Sequence, residues 1–350
     1  MILVDAHLDL AYNAINLGRD LTQTVDHGRQ RSTEQTAEWI AEAGTLTTTL
    51  PEIGLHTPSI VCGTIFILPA EAQTTLDGVA YATPDEAHDQ AWEQLNWYKQ
   101  QCATGFLHLI DNQPALQAIQ ARNQSVPGLL LLMEGADGLR TPDELIEWYA
   151  AGLRWLGPAW QATRYAGGTG APGPLTTLGL ELLELMQKLG VALDASHLAE
   201  ESFWQALEHF QGPISASHSN CRSLLAGANH QDRYLSDAMI KAIIERDGVI
   251  GIALYNRMLR ADWDGSKNHV TLEHVVAQIE HICQLAGNTQ HVALGSDLDG
   301  GFGVEMIPAE IDRWSDLPKI GKALTERGWP ENDIANVLGQ NWLRWFQRIV

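Results

Sequence analysis

The chain has 350 residues, of which 45% are hydrophobic, enough for one large domain or two ordinary ones. Its formal net charge of −21 excludes the basic surface that nucleic acids or an anionic membrane would require. No apolar run approaches the ~20 residues of a membrane span, and the four cysteines form no CxxC pair. We therefore expect a soluble cytoplasmic protein with neither a nucleic-acid nor a membrane partner.

Short apolar runs alternate along the chain with amphipathic stretches, the pattern of a parallel α/β protein. Eight runs are predicted to be core strands: 2–7, 59–68, 128–134, 153–159, 190–197, 213–219, 248–254 and 291–297. Helices are predicted around them at 85–102, 178–190, 201–210, 236–248 and 272–287. Eight strands with interposed helices predict a (β/α)8 or TIM barrel, although periodicity alone also permits an open, doubly wound sheet.

The remaining segments hold accessory elements. The long connection 10–58 is predicted to contain an insertion with a short strand at 45–50, and 106–110 is predicted to be a further strand. Two closing helices are predicted at 317–328 and 331–346. No linker, low-complexity tract or internal repeat interrupts the chain, so residues 1–350 are predicted to form a single domain.

Ionisable side chains collect where the predicted strands end. His7 and Asp9 are two residues apart, so on a strand both would point to the same side. Six such residues fall at the ends of five strands: His7, Asp9, Glu134, His197, His218 and Asp297. In a barrel the carboxyl ends of the strands form one rim, and active sites are built there. The sequence therefore predicts that these side chains meet.

Three histidines and three carboxylates suit a hydrolytic site with two divalent metal ions, because imidazole and carboxylate are typical zinc ligands. Two such ions can share a bridging carboxylate and activate a water molecule. Glu134, with two oxygens, is the natural bridge; His7 and Asp9 would serve one ion, and His197 and His218 the other. A single histidine at a strand end is more often structural, but the agreement of five strand ends favours the metal site.

The other reactive residue types are assigned structural roles. Five histidines lie on predicted helices or at the start of the eighth strand: His88, His209, His274, His281 and His291. Cys221 lacks the base and orienting group that a nucleophilic cysteine needs. The run GTGAPG at 168–173 matches GxGxxG, but prolines disrupt it and no strand–turn–helix unit surrounds it, so a nucleotide site is rejected.

Taken in chain order, the motifs resemble the membrane (renal) dipeptidase family of zinc peptidases. The stretches that carry the resemblance are DAHLDL, MEG, GVALDASH, SASHSN, DRYLSD and GSDLDGGFG, within a likeness that runs from residue 2 to about 346. The resemblance implies a metal-dependent (β/α)8 barrel that hydrolyses the peptide bond of dipeptides by a metal-bridging hydroxide. It also implies tolerance of a D-residue on the C-terminal side, and the family often forms homodimers.

The resemblance assigns the same metal ligands as the residue inventory. His7 and Asp9 would hold one zinc ion, and His197 and His218 would hold the second. Glu134 would bridge the two ions. The implied cofactor is therefore two Zn²⁺ or similar divalent ions.

Four further residues receive roles from the resemblance. Asp297 would move the proton from the water to the leaving amine, and Arg233 would hold the substrate's carboxylate. Tyr255 would line the substrate pocket. Trp160 stands where animal members carry a histidine that contacts the scissile carbonyl, and an indole can donate one hydrogen bond but cannot change charge.

Two alternatives to a zinc dipeptidase are retained. One is a related metal-dependent amide hydrolase that acts on N-acyl amino acids or cyclic amides. The other is a catalytically inactive barrel that only binds a ligand or partner. Assays of dipeptides against N-acyl amino acids with added zinc separate the first, and a metal-free protein that stays inert after zinc addition would favour the second.

Overall fold

Parallel strands form the centre of the protein and are separated along the chain by helices. The computed structural model describes residues 2–32, 43–73, 78–121 and 125–350. Its strands are β1 (Leu3–Leu8), β2 (Ser59–Phe66), β3 (His108–Leu109), β4 (Gly128–Glu134), β5 (Leu153–Gly157), β6 (Ala166–Gly168), β7 (Ala171–Leu175), β8 (Ala192–Asp194), β9 (Ile214–Ser215), β10 (Ile250–Ile252) and β11 (Val292–Leu294).

The described α-helices surround these strands or close one end of the barrel. They are α1 (Leu10–Ile15), α2 (Val25–Ser32), α3 (Leu50–Gly54), α4 (Pro84–Ala103), α5 (Gln113–Gln120), α6 (Leu145–Ala150), α7 (Thr177–Leu189), α8 (Glu200–His209), α9 (Asp237–Glu245), α10 (Asn256–Leu259), α11 (Leu272–Ala286), α12 (Pro318–Glu326), α13 (Glu331–Ala335) and α14 (Asn341–Phe346). Local sequence sets their ends: Thr83 and Glu86 form a capping box at the start of α4, and Gly190, in the left-handed conformation, ends α7.

The eight predicted core strands are all confirmed, and they curl into the predicted barrel. Six of them pair in the order β1–β2–β4–β5–β8–β9, with β3 attached to β4, and every pair is parallel. Ala216, just after β9, bridges to Ile250 of β10, which pairs with β11. The last strand then returns to the first, because the N–H of Asp297 donates to the carbonyl oxygen of His7 at 3.2 Å.

A second contact closes the same seam below the rim. The carboxylate of Asp5 on β1 accepts hydrogen bonds from the backbone N–H and the hydroxyl of Ser296, which follows β11. The indole N–H of Trp314 donates to the same carboxylate at 2.9 Å. A buried charge with three donors is far better stabilised than an unpaired one, so Asp5 holds the first and last strands together.

An apolar inner core lies beneath the rim. Along β4 the residues Leu130, Leu132 and Glu134 alternate, so the two leucines share a face with Glu134. They belong to a buried cluster that joins many strands to the last helix and includes Val4, Ala6, Ile60, Cys62, Leu130, Leu132, Trp155, Ala192, Ala293, Trp342, Trp345 and Phe346. Helix α14 therefore plugs the end of the barrel opposite the rim.

Several accessory predictions are also confirmed. The strand expected at 106–110 is the short β3, and the five predicted helices are α4, α7, α8, α9 and α11. The closing helices expected at 317–328 and 331–346 are α12 and the pair α13 and α14, which are joined by a short π-helix at Asn336–Gln340.

The strand predicted at 45–50 is wrong. This segment is an irregular loop that leads into α3. Three of its backbone N–H groups donate to side chains instead of a neighbouring strand: those of Thr47 and Thr48 donate to the carboxylate of Asp299, and that of Thr45 donates to Glu305. Residues 33–42 of the predicted insertion lie outside the described residues. Among the described helices, none combines the length and the apolar composition that crossing a bilayer requires.

We expect Trp342→Ala to lower the free energy of unfolding by about 3–5 kcal/mol. The substitution removes a fully buried ring from the inner core and a hydrogen bond from its indole nitrogen to the carbonyl of Leu294. Urea unfolding followed by circular dichroism measures the loss. Trp204→Ala, which truncates a ring that is 40% exposed, is the matched control and should cost less than about 1 kcal/mol. Equal losses in both variants would contradict the assignment of α14 as a plug.

Candidate active site

The carboxyl ends of the central strands bring the predicted ionisable side chains to one rim. His197, His218 and Asp297 each lie three residues beyond the end of a strand, namely β8, β9 and β11. All six predicted side chains are buried, none more than 9% exposed: His7, Asp9, Glu134, His197, His218 and Asp297.

Glu134 lies at the centre of this group. Its Oε2 is 3.3 Å from Nε2 of His7. Its Oε1 is 3.0 Å from Nε2 of His197 and 3.4 Å from Nε2 of His218. Nε2 of His7 is also 3.8 Å from Oδ1 of Asp9. The side chains that could ligate a metal therefore form two sets of three that share Glu134. One set contains His7 and Asp9, and the other contains His197 and His218.

This arrangement has the chemistry of a cation site. Nε2 of His197 and Nε2 of His218 are only 2.9 Å apart. Nε2 of His7 is buried and, within the described part of the chain, has no hydrogen-bond partner. Buried nitrogen and oxygen acceptors that face one another are stabilised when a cation stands between them. The donor set therefore fits a divalent metal cofactor, for which imidazole and carboxylate are the usual ligands.

A single hydroxyl orients two of the imidazoles from behind. Oγ of Ser217 donates to the carboxylate of Asp194 at 2.5 Å and lies 3.2 Å from Nδ1 of His7 and 2.8 Å from Nδ1 of His218. A serine hydroxyl has one proton and two acceptor positions. Because its proton goes to Asp194, it accepts from both imidazoles, which must then carry a proton on Nδ1. In the neutral form of each ring, Nε2 is then an acceptor that faces Glu134, which is the form that a metal ligand needs.

Two threonines orient further members of the group. Oγ1 of Thr64 donates to the carboxylate of Asp9, and Oγ1 of Thr169 lies 2.9 Å from Nδ1 of His197. Thr169 stands in the turn of the antiparallel hairpin formed by β6 and β7, which is the GTGAPG run. Through Thr169, the run supports the rim of the barrel.

The charges of the carboxylates act most strongly on His7. Burial opposes its protonation, but the negative charges of Glu134, Asp9 and Asp297 outweigh burial and raise the pKa of His7 to about 10. Burial raises the pKa of Asp9 to about 6, with the charge of Glu134 adding to the effect. The carboxylates around His7 therefore stabilise a positive charge in this part of the cluster.

The other two imidazoles stay neutral. Burial and the charge of Arg233 lower the pKa of His197 to about 4. Burial, together with the charges of His7 and Arg233, lowers the pKa of His218 well below its ordinary value. Metal ligation requires the neutral imidazole, so both side chains are in the state that a metal ion binds.

Asp297 approaches the cluster from the last strand. Its Oδ1 is 3.9 Å from Nε2 of His7, and its backbone is left-handed, with φ of 59°. A Cβ atom at Gly300 would lie 2.0 Å from the same Oδ1, so glycine is required there to leave room for the carboxylate. Burial raises the pKa of Asp297 well above its ordinary value. Burial therefore stabilises the protonated form of this carboxyl group relative to the charged form.

A cavity of about 560 Å³ opens onto the cluster. The three residues predicted to bind substrate, Arg233, Trp160 and Tyr255, all line it. Arg233 is buried and donates to the carbonyl oxygen of His218 at 2.8 Å. The ring of Trp160 is 6.4 Å from that of His197. The ring of Tyr255 stacks on that of Phe302, which also lines the cavity.

The residues assigned structural roles lie outside the cavity lining. His88 pairs with Glu144 at 3.1 Å, and His281 pairs with Asp237 at 2.8 Å. Nδ1 of His291 lies 2.9 Å from the carbonyl oxygen of Gly248, at the start of β11 and away from the rim. Cys221 is buried, and burial raises the pKa of its thiol.

Sequence reasoning missed the side chains that support the metal-binding donors. Asp194 and Ser217 stand close to the predicted histidines in LDASH and SASHS, and this proximity was the only indication in the sequence of their role. The spacing within each motif does not show that the hydroxyl of Ser217 connects the two motifs in space. Thr64 lies inside a strand and Thr169 in a rejected motif. His230, which lines the cavity with a left-handed backbone, carried no motif at all.

Two known proteins are similar to this chain in sequence. An uncharacterized protein from the pqqA 5′ region of Klebsiella pneumoniae is 33% identical over 274 residues, which cover 75% of this chain and 97% of that protein. An uncharacterized dipeptidase of Schizosaccharomyces pombe is 28% identical over 221 residues, which cover 61% of this chain and 51% of that protein.

Solved structures share the fold. A metallo peptidase from Rhodobacter sphaeroides, liganded with a phosphinate mimic of the dipeptide L-Ala-D-Ala, superposes with a TM-score of 0.78 at 22% identity, over 100% of this chain and 99% of that one. The family model of the membrane dipeptidases matches residues 1–349. The chain therefore belongs to the membrane dipeptidase family, peptidase family M19.

Proposed function

We propose that the protein hydrolyses the peptide bond of dipeptides with two zinc ions held at the rim of the barrel. Its family is one of metal-dependent dipeptidases; the number and identity of the ions belong to the proposal. The observation that carries it is the carboxylate of Glu134, which faces His7 with one oxygen and both His197 and His218 with the other. A carboxylate shared by two donor sets is typical of two-metal hydrolases.

Five residues would hold the ions. His7 and Asp9 form one set and His197 and His218 the other, with Glu134 common to both. Ions bound there would lower the pKa of a water molecule toward neutrality and polarise the carbonyl of the scissile amide.

Asp297 would move the proton. Its carboxylate accepts the proton of the attacking water and then delivers it to the leaving nitrogen as general acid. Burial raises its pKa, which suits a group that must both gain and lose a proton. The glycine at position 300 keeps the carboxylate in place, because any side chain there would displace it.

Three cavity residues would bind the substrate. Arg233, held by the carbonyl of His218 and the hydroxyl of Ser219, would pair with the carboxylate of the C-terminal residue. Tyr255 would form the wall beside it, and Trp160 would contact the other part of the substrate. The L-Ala-D-Ala mimic bound to the Rhodobacter sphaeroides enzyme supports a D-residue on the C-terminal side.

A second candidate, hydrolysis of N-acyl amino acids or cyclic amides, is favoured by one observation. Trp160 places an apolar ring beside His197. A side chain that binds a free amine or polarises a carbonyl at this position would be charged or titratable, and an indole is neither. The single domain over residues 1–350, the homodimer and the cytoplasmic location stay predictions.

We expect the chelator-stripped protein to bind two equivalents of Zn²⁺ per chain and to regain hydrolysis of both L-L and L-D dipeptides. Metal analysis after gel filtration and the release of free amine measure the two quantities. Uptake of one equivalent would contradict the two-ion site, and full activity in a strong chelator would contradict the metal. Hydrolysis of N-acyl amino acids alone would favour the second candidate, and inertness after zinc addition would favour a binding-only barrel.

We expect Asp297→Asn to lower kcat by about 10²–10⁴-fold while both equivalents of metal are retained. The substitution keeps the size of the side chain but removes its ability to accept a proton. Steady-state kinetics together with metal analysis separate proton transfer from metal binding. A variant with wild-type kcat would show that another group moves the proton.

We expect Ser217→Ala to weaken Zn²⁺ binding by about 10–100-fold, because it removes the hydroxyl that orients His7 and His218. Competition with a chromophoric chelator measures the affinities without requiring turnover. Ser215→Ala is the matched control: it removes a buried hydroxyl two residues away whose bonds go to the backbone of Val249. Equal losses of affinity in both variants would mean that the effect comes from general destabilisation.

A further inference from the structure

One side of the cavity is lined by apolar side chains that pack on one another. We call these five residues the apolar wall: Tyr12, Leu17, Phe66, Leu68 and Trp160, all of which line the cavity. The ring of Phe66 lies 5.0 Å from that of Trp160 and 5.2 Å from that of Tyr12. These separations are typical of packed aromatic pairs, so the apolar wall is a continuous surface.

The opposite side of the cavity is cationic. Phe66 ends β2, whereas Arg233 follows β9, which stands halfway around the ring of eight core strands from β2. Arg257, which follows β10, also lines the cavity. The donor cluster around Glu134 lies between the two sides. A substrate whose carboxylate meets Arg233 and whose scissile amide meets the cluster must extend its other end toward the apolar wall.

The distribution of acidic residues sharpens this polarity. Among the described residues that line the cavity, the carboxylates are those of Asp9, Glu134 and Asp297. All three belong to the cluster itself, and the apolar wall contributes none. An additional positive charge on a side chain lying against the wall would lose its hydration without gaining a partner, which is costly. An apolar side chain in the same place gains by leaving water.

We propose that Trp160 and the apolar wall select substrates whose acyl-side residue carries a bulky apolar side chain. This inference rests on the proposed amide hydrolysis and names its substrate class: a carboxylate on the amine side and an aromatic or branched aliphatic group on the acyl side. Basic and very small acyl-side residues are disfavoured. Trp160 is the specificity-determining member, because it joins Phe66 to the rim beside His197.

The test compares three dipeptides that differ only in the acyl-side residue: phenylalanyl-alanine, glycyl-alanine and lysyl-alanine. With the zinc-loaded protein we expect kcat/KM for the phenylalanyl substrate to exceed the other two by about 10-fold or more. Trp160→Ala should reduce the ratio of phenylalanyl to glycyl kcat/KM by about 10-fold, and Trp160→Phe should restore most of it. Trp204→Ala, on the outer face of α8, is the matched control and should leave the ratio unchanged.

A binding experiment tests the inferred selectivity without requiring that any dipeptide is hydrolysed. Phosphinate mimics of phenylalanyl-alanine and glycyl-alanine are titrated calorimetrically into the same proteins. A tighter phenylalanyl mimic, with the difference lost in Trp160→Ala, supports the inference even when no dipeptide is hydrolysed and the proposed function has failed. Equal affinities for the two mimics, or a difference that survives in Trp160→Ala, would overturn it. Equal kcat/KM for all three dipeptides in the wild type would overturn it as well.

Discussion

The constraint on which this structure depends is the burial of three imidazoles around one carboxylate. Glu134 faces a nitrogen of His7 on one oxygen and nitrogens of His197 and His218 on the other. Burying these polar atoms without partners would cost several kcal/mol. A divalent cation removes the conflict. The hydroxyl of Ser217 orients two of the imidazoles for such a cation. It donates its proton to Asp194 and accepts from Nδ1 of His7 and of His218, which fixes the tautomer of each ring.

The barrel supplies the rigidity that this arrangement needs. Parallel strands deliver the donors to one rim, and the apolar inner core below them is plugged by aromatic rings of the last helix. Leu130 and Leu132 lie on the same face of β4 as Glu134, so the apolar inner core lies directly below the carboxylate. Its position is therefore set by core packing, which tolerates little displacement.

Much of this could be predicted from the sequence, for identifiable reasons. The core strands are short buried runs with clear boundaries, and ionisable residues at their carboxyl ends are improbable unless they meet, so His7, Glu134 and His218 stood out. The prediction of a strand at 45–50 was wrong because a run of threonine and leucine does not reveal that Asp299 accepts hydrogen bonds from the backbone N–H groups of Thr47 and Thr48. Ser217 and the apolar wall were missed for a related reason: both depend on side chains that meet only across the closed barrel.

The seam of the barrel has a consequence for when the catalyst comes into being. The backbone of Asp297 binds to that of His7, and the carboxylate of Asp5 grips Ser296, so the earliest and latest parts of the core meet at the reaction centre. The full set of reactive groups is therefore brought together only after the segment that carries Ser296 and Asp297 has been synthesised and has closed the seam. A chain that stops before β11 lacks both Asp297 and the partner of Asp5, so the barrel has no last strand with which to close.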